Sequence, residues 1–147
     1  MSENYRNIYQ TARECAGYTQ ENAAGRLGLS VESIRAYEGG KRIPPDHVVL
    51  RMIEVYSTPY LAYQHLVNSA DVARSVLPVV TIRDLPTAIL RLQKEVNDFL
   101  NCREELISIT CDGVITEEER PRFDRILKEM EDVVSAILSV KFAKYDD

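Results

Sequence analysis

Residues 18–42 read YTQENAAGRLGLSVESIRAYEGGKR, and this stretch decides the fold. Thr19 is placed to cap a helix whose first turn holds Gln20 and Glu21. Ala23, Ala24 and Leu27 follow at helical spacing and make one face apolar. The small Ala24 suits a point where two helices nearly touch. Gly28 stands where a helix ends on a residue of positive φ. Leu29 turns inward, and Ser30 is placed to cap a second helix. Ile34 and Tyr37, three apart, face the core, which leaves Val31, Glu32, Ser33, Arg35 and Ala36 on the other side. Gly39-Gly40 ends the second helix, and Lys41-Arg42 begin the exit loop. The pattern predicts two short helices joined by a tight turn, the second presenting polar groups outward.

The order Thr19-Gln20-Glu21, Ala24, Leu27-Gly28-Leu29-Ser30, Ile34, Tyr37-Glu38-Gly39-Gly40 and Arg42-Ile43-Pro44 resembles the XRE group, the helix-turn-helix of Cro and lambda-type repressors. In register the resemblance runs from roughly Tyr5 to Tyr56, about one third of the chain. Two residues depart from it. Ala23 is smaller than the usual leucine, and Gly25 weakens the first helix by about 1 kcal/mol relative to alanine.

The resemblance implies double-stranded DNA as partner, and roles by position. Gln20 would bond a phosphate. Ser30 would do the same from the N-terminus of the recognition helix, about Ser30–Glu38, where free N–H groups and the helix dipole favour an anion. Ser33, Lys41 and Arg42 are implied backbone contacts. Val31, Glu32 and Ala36 align with base-reading positions, and Arg35 with a contact to base or phosphate. Chemically, Glu32 can accept from a cytosine amino group, Val31 and Ala36 can touch a thymine methyl, and Arg35 can fork onto guanine. The fold implied is all-α: a five-helix lambda-repressor-like domain, then whatever the rest of the chain supplies.

The 147 residues hold one large domain or two small ones, and 28% charged with 45% hydrophobic residues is the balance of an ordinary globular chain. Before the motif, Asn4 to Ala16 reads as a helix with Ile8, Tyr9, Ala12 and Ala16 on one stripe. After it, Pro45 to Tyr56 carries the stripe Val48, Val49, Met52, Ile53 and Tyr56, and Thr58-Pro59 opens a helix to Asn68. These complete a domain over residues 1–68. Residues 69–84, with Pro78 and the run Val79-Val80-Thr81-Ile82, read as a linker. Residues 85–147 read as a long antiparallel helical hairpin. Asp84-Leu85-Pro86 starts its first helix, with Leu85, Ile89, Leu92, Val96, Phe99, Leu106 and Thr110 on a seam where Arg103 is the one charge. The second helix, Glu118 to Ala143, carries Phe123, Ile126, Leu127, Met130, Val133, Val134, Ile137 and Val140. Each helix has more apolar face than one neighbour covers, so the hairpin is expected to form a homodimer; folding back onto the N-terminal domain is the other way to cover it.

Charge qualifies the DNA expectation. The net charge is −5, residues 1–57 carry seven basic and seven acidic side chains, and residues 81–147 carry ten basic and fifteen acidic. Phosphate neutralisation must therefore rest on a local cluster, Arg35, Lys41 and Arg42, with Arg13 or Arg26 as further candidates. Few contacts per copy make pairing on one duplex the natural remedy. The function expected is a sequence-specific DNA-binding transcriptional regulator of bacterial or phage type, acting as a dimer. The alternative is an adaptor or antitoxin-like protein that keeps the helix-turn-helix as a fold and holds another protein.

Other chemistry finds little to build on. His47 and His65 have no clustered carboxylates in sequence, and no nucleophile–base pair or glycine-rich phosphate loop is evident, so no catalytic residue, metal ligand or cofactor is assigned. His65 reads as a surface or partly packed residue. Asp112-Gly113-Val114-Ile115-Thr116-Glu117-Glu118-Glu119 matches the second half of an EF-hand loop but supplies too few carboxylates for calcium. Asp-Gly there makes a tight turn, and Thr116 with Glu119 a capping box. Tyr56, Tyr60 and Tyr63 are spaced for core packing. The three cysteines lack metal-ligand spacing and fit a reduced cytoplasm. No membrane span or signal peptide is read, and nothing in the sequence marks a small-molecule effector.

Overall fold

The structure, a computed structural model, describes residues 7–145. Asn4 to Arg6, the start of the first expected helix, lie outside the described residues, as do Asp146 and Asp147. The described residues are helical with no strand, and divide into two compact units, Met1–Leu77 and Pro78–Asp147. No helix among them is long and apolar enough to cross a membrane.

The first unit holds α1 (Ile8–Cys15), α2 (Gln20–Leu27), α3 (Val31–Glu38), α4 (Asp46–Tyr56), α5 (Tyr60–Ser69) and α6 (Asp71–Val76). Its core is Tyr9, Ala12, Ala23, Ala24, Leu27, Ile34, Tyr37, Val48, Val49, Met52, Tyr56 and Leu61. Helices of eight residues are marginal alone, so tertiary burial of these faces holds them. Asn7 caps α1 by accepting from Tyr9 N, and its amide donates to the Tyr37 carbonyl at 3.0 Å, tying α1 to α3.

His65 is a correction to the sequence reading: it is buried. Its Nδ1 pairs with the Tyr9 hydroxyl at 2.7 Å and its Nε2 with Asp46 Oδ1 at 3.2 Å, so one ring joins α1, α4 and α5. Tyr56 packs its ring against Tyr18, while Tyr60 stacks on Tyr63.

The second unit holds α7 (Leu85–Asn101), α8 (Arg103–Thr110) and α9 (Arg120–Lys141). The stretch read as a linker holds α6, while residues 77–83 form no regular element. It supplies α6 to the first unit, and an extended segment to the second, where the Ser135 and Ser139 hydroxyls donate to the carbonyls of Val79 and Thr81, each at 2.7 Å. Asp84 caps α7 by accepting from Thr87 N.

Two further expectations for the hairpin are corrected. Its first helix is not continuous: it breaks at Cys102, whose N–H reaches back to the Phe99 carbonyl at 3.0 Å. A straight continuation would carry Arg103 onto the seam of Leu85, Ile89, Leu92, Val96 and Phe99; after the break Arg103 is exposed. Nor does the interior of the hairpin unit take all of the large apolar residues. Its buried positions are Ala88, Ser135, Ala136, Ser139 and Ala143 with Val80, Ile109 and Ile126. Leu127, Met130, Val134 and Ile137 lie exposed instead.

The turn before α9 forms as expected. Asp112 accepts from Val114 N at 3.0 Å, and Gly113 takes φ 77°. Thr116 Oγ1 accepts from Glu119 N, while Glu119 Oε2 accepts from Thr116 N. That reciprocal pair holds the Glu119 carboxyl below its ordinary pKa, chiefly through the backbone N–H of Thr116.

Candidate nucleic-acid interface

The interface is built on α2 and α3. Thr19 accepts from Asn22 N at 3.1 Å and starts α2. Gly28 ends it at φ 67°, which lets Leu29 N return to the Ala24 carbonyl at 2.9 Å. A side chain at Gly28 would be strained in that left-handed conformation. Ser30 then caps α3, its Oγ accepting from Ser33 N at 3.1 Å. Ile34 and Tyr37 enter the core.

On the outer side Glu32 and Arg35 are exposed, and Ser33 and Ala36 are half-buried; Val31, also half-buried, packs against the core. Ser30 is exposed at the N-terminus, where unsatisfied N–H groups carry partial positive charge. At the far end Gly40, at φ 70°, brings Lys41 N back to the Ala36 carbonyl at 3.0 Å. That closure sets the path of the exit loop. Lys41 is exposed; Arg42 lays its guanidinium 4.8 Å from the Tyr37 ring centre and donates to Ser33 Oγ at 3.1 Å. Ser30, Ser33 and Arg42 are therefore joined on one surface, with Lys41 next to Arg42 in the chain.

A polar network fixes α3 from behind. Arg13 of α1 donates through Nε to Glu38 Oε1 at 2.6 Å and through Nη2 to Oε2 at 3.0 Å, and its Nη1 donates to the Tyr18 carbonyl. Both side chains are buried. The hydrogen bond to Glu38 raises the Arg13 pKa above its ordinary value against the opposing effect of burial. Gln20 extends the network: its Nε2 donates to Glu38 Oε2 at 2.8 Å, and its Oε1 accepts from Arg35 Nε at 3.3 Å. Arg35 also lies 3.7 Å from Glu21.

This corrects one candidate and redefines another. Arg13 is consumed by Glu38 and contributes no surface cation; Arg26 is exposed but leans over the Tyr18 ring. Gln20 stands at the start of α2 with its amide engaged on both sides, so it orients Arg35 toward that end of α2. Sequence reasoning missed Arg13 and Glu38 as the anchor. The signal lay in two opposite charges at core-facing positions, one between Ala12 and Ala16, the other beside Tyr37.

Residues 10–62 match the model of a helix-turn-helix domain family, and they fold here as such a domain. Relatives carry the likeness further. A protein of Pyrococcus horikoshii, provisionally named an HTH-type transcriptional regulatory protein, is 34% identical over 128 residues, and one of Pyrococcus furiosus with the same provisional naming is 27% identical over 128. Each alignment covers 87% of this chain and so reaches well into the hairpin unit. The chain spans only about a third of the length of these curated relatives, 36% in both cases. No solved structure matches the chain significantly.

Proposed function

We propose that this chain is a sequence-specific DNA-binding transcriptional regulator that lays α3 in the major groove and binds as a homodimer through the hairpin unit. The observation that carries the reading is the placement of Glu32, Arg35 and Ala36 on the open side of a helix braced from behind by the buried Arg13–Glu38 pair. A recognition helix needs that combination, because base contacts discriminate only when the reading side chains are held in register.

Within this reading the roles divide by chemistry. Ser30 and the first N–H groups of α3 take one phosphate, and Lys41, Arg42 and Ser33 take the backbone on the same surface. Arg35, steered by Gln20, serves the start of α2. Glu32 accepts from a cytosine amino group, with Val31 and Ala36 against thymine methyls. The few cations make a single domain a weak binder, and two copies on one duplex double the contacts. The operator is then an inverted repeat with half-sites about one helical turn apart.

Selection from a randomised duplex pool with the full chain tests this. Enrichment of an inverted repeat of that spacing supports the reading; a pool unchanged after repeated rounds at low salt overturns it.

A further inference from the structure

Arg35 is the one basic residue of α3, and its guanidinium is already engaged. The chain of contacts that holds it begins in the interior. Glu38, gripped by Arg13, accepts at Oε2 from Gln20 Nε2 at 2.8 Å. A carboxylate only accepts, so the Gln20 amide must turn its nitrogen inward and its Oε1 outward. That oxygen accepts from Arg35 Nε at 3.3 Å. With Nε held there, Nη2 lies 3.7 Å from Glu21 Oε1. Glu21 stands in the first turn of α2, where the helix dipole favours a carboxylate.

The Arg35–Glu21 pair does little for the fold. Its side chains are 59% and 66% exposed, and an ion pair so open to water contributes little stability. Its consequence is electrostatic. Together the two side chains present no net charge on the side of α3 that would meet a duplex. A phosphate that takes the guanidinium has to displace Glu21, and then faces the freed carboxylate well inside the Debye length of about 8 Å.

We propose that Glu21 is an internal competitor for Arg35, holding in the free protein the guanidinium that DNA must take. This rests on the reading above only in that duplex DNA meets the outer side of α3. The competition acts on the phosphate backbone and not on base sequence. It therefore lowers affinity for every duplex alike and leaves discrimination to the reading side chains. Glu21 is one of the seven carboxylates that bring residues 1–57 to charge balance, and the contact gives its charge a specific target.

The test is a double-mutant cycle with the full chain on a short duplex of mixed sequence, read by fluorescence anisotropy at several salt concentrations. Glu21→Gln should tighten binding about fivefold or more, and steepen the slope of log affinity against log salt by up to about 0.9, the share of one phosphate. With Arg35→Ala already in place, the same change should gain less than about twofold, because no guanidinium is left to free. Equal gains in the two backgrounds mean that Glu21 only repels phosphate, and overturn the proposal; so does an affinity that Glu21→Gln leaves unchanged. A second readout needs no DNA: the Arg35 Nε–H resonance, assigned by its loss in Arg35→Ala, should shift in Glu21→Gln. A resonance that stays in place overturns the pairing. Circular dichroism checks the fold, and Glu21→Ala takes the place of a Glu21→Gln variant whose helix content falls. Absence of binding by wild type and Glu21→Gln alike at low salt overturns the proposal together with the regulator reading. The mixed duplex asks for no preferred sequence, so a failed selection leaves this result standing, and a failed cycle leaves the selection standing.

Discussion

Arg13 on α1 grips Glu38, the last residue of α3, through two parallel hydrogen bonds of 2.6 and 3.0 Å, with both side chains buried. A desolvated pair of this kind is worth little against a well-packed apolar replacement, but removing one partner strands a charge. Glu38→Ala should therefore destabilise the first unit by about 3–5 kcal/mol. The joint change Arg13→Met with Glu38→Leu should recover most of that loss. Urea denaturation followed by circular dichroism checks both; equal losses in the single and joint variants would contradict the assignment.

Arg35, Lys41 and Arg42 supply the phosphate neutralisation in this account. Each cation removed should lower the slope of log affinity against log salt by about 0.9 if it contacts one phosphate. Titrating Lys41→Ala and Arg42→Ala against a short duplex at several salt concentrations measures this. Gln20→Ala should act indirectly, weakening binding through a loosened Arg35 while leaving the slope within one contact of wild type.

In the proposed reading Glu32 is an acidic reader among the cations Arg35, Lys41 and Arg42. Its carboxylate costs affinity toward phosphates and repays it only opposite a cytosine amino group. Glu32→Ala should tighten binding to random DNA and lose about 1–3 kcal/mol of discrimination at one G·C position. Competition between the selected site and its single-base variants reads that difference.

Burial pushes the Tyr56 phenol up to about 12 from an ordinary value of 10, with the Glu38 carboxylate adding to the rise and Arg13 offsetting it. The folded state holds this proton more tightly than the unfolded chain does. The stability it contributes is therefore complete below pH 10 and is lost as pH rises from 10 through about 12. Burial raises the Tyr60 phenol as well, so absorbance at 295 nm should show late-titrating tyrosines, of which Tyr56→Phe removes one. A Tyr56 that ionises with the exposed tyrosines would refute the burial.

The helix-turn-helix was legible because its residues are local punctuation. Thr19 and Ser30 cap, Gly28 and Gly40 supply left-handed backbone, and Ile34 and Tyr37 fall on one face; none of these depends on distant chain. The Arg13–Glu38 brace was not legible, because it joins residues 25 apart and charged side chains read by default as surface. His65 was hidden for the same reason, its partners being Tyr9 and Asp46. In the hairpin the apolar stripes were read correctly as stripes, but periodicity does not say which neighbour covers them. Ala88, Ala136 and Ser139 are buried in the unit, while Leu127, Met130, Val134 and Ile137 stay exposed. The break at Cys102 was not legible, because no glycine or proline marks it and the apolar periodicity runs through it.

The central claim is that the open side of α3 reads DNA. Fluorescence anisotropy of the selected inverted repeat, titrated with wild type and with the double variant Arg35→Ala/Lys41→Ala, tests it most directly. Both positions are exposed, so the variant should fold as wild type does. At least a hundredfold loss of affinity for the selected site is expected, with helix content unchanged. Undiminished binding by the folded double variant would contradict it, and would turn attention to a protein partner held by the same domain.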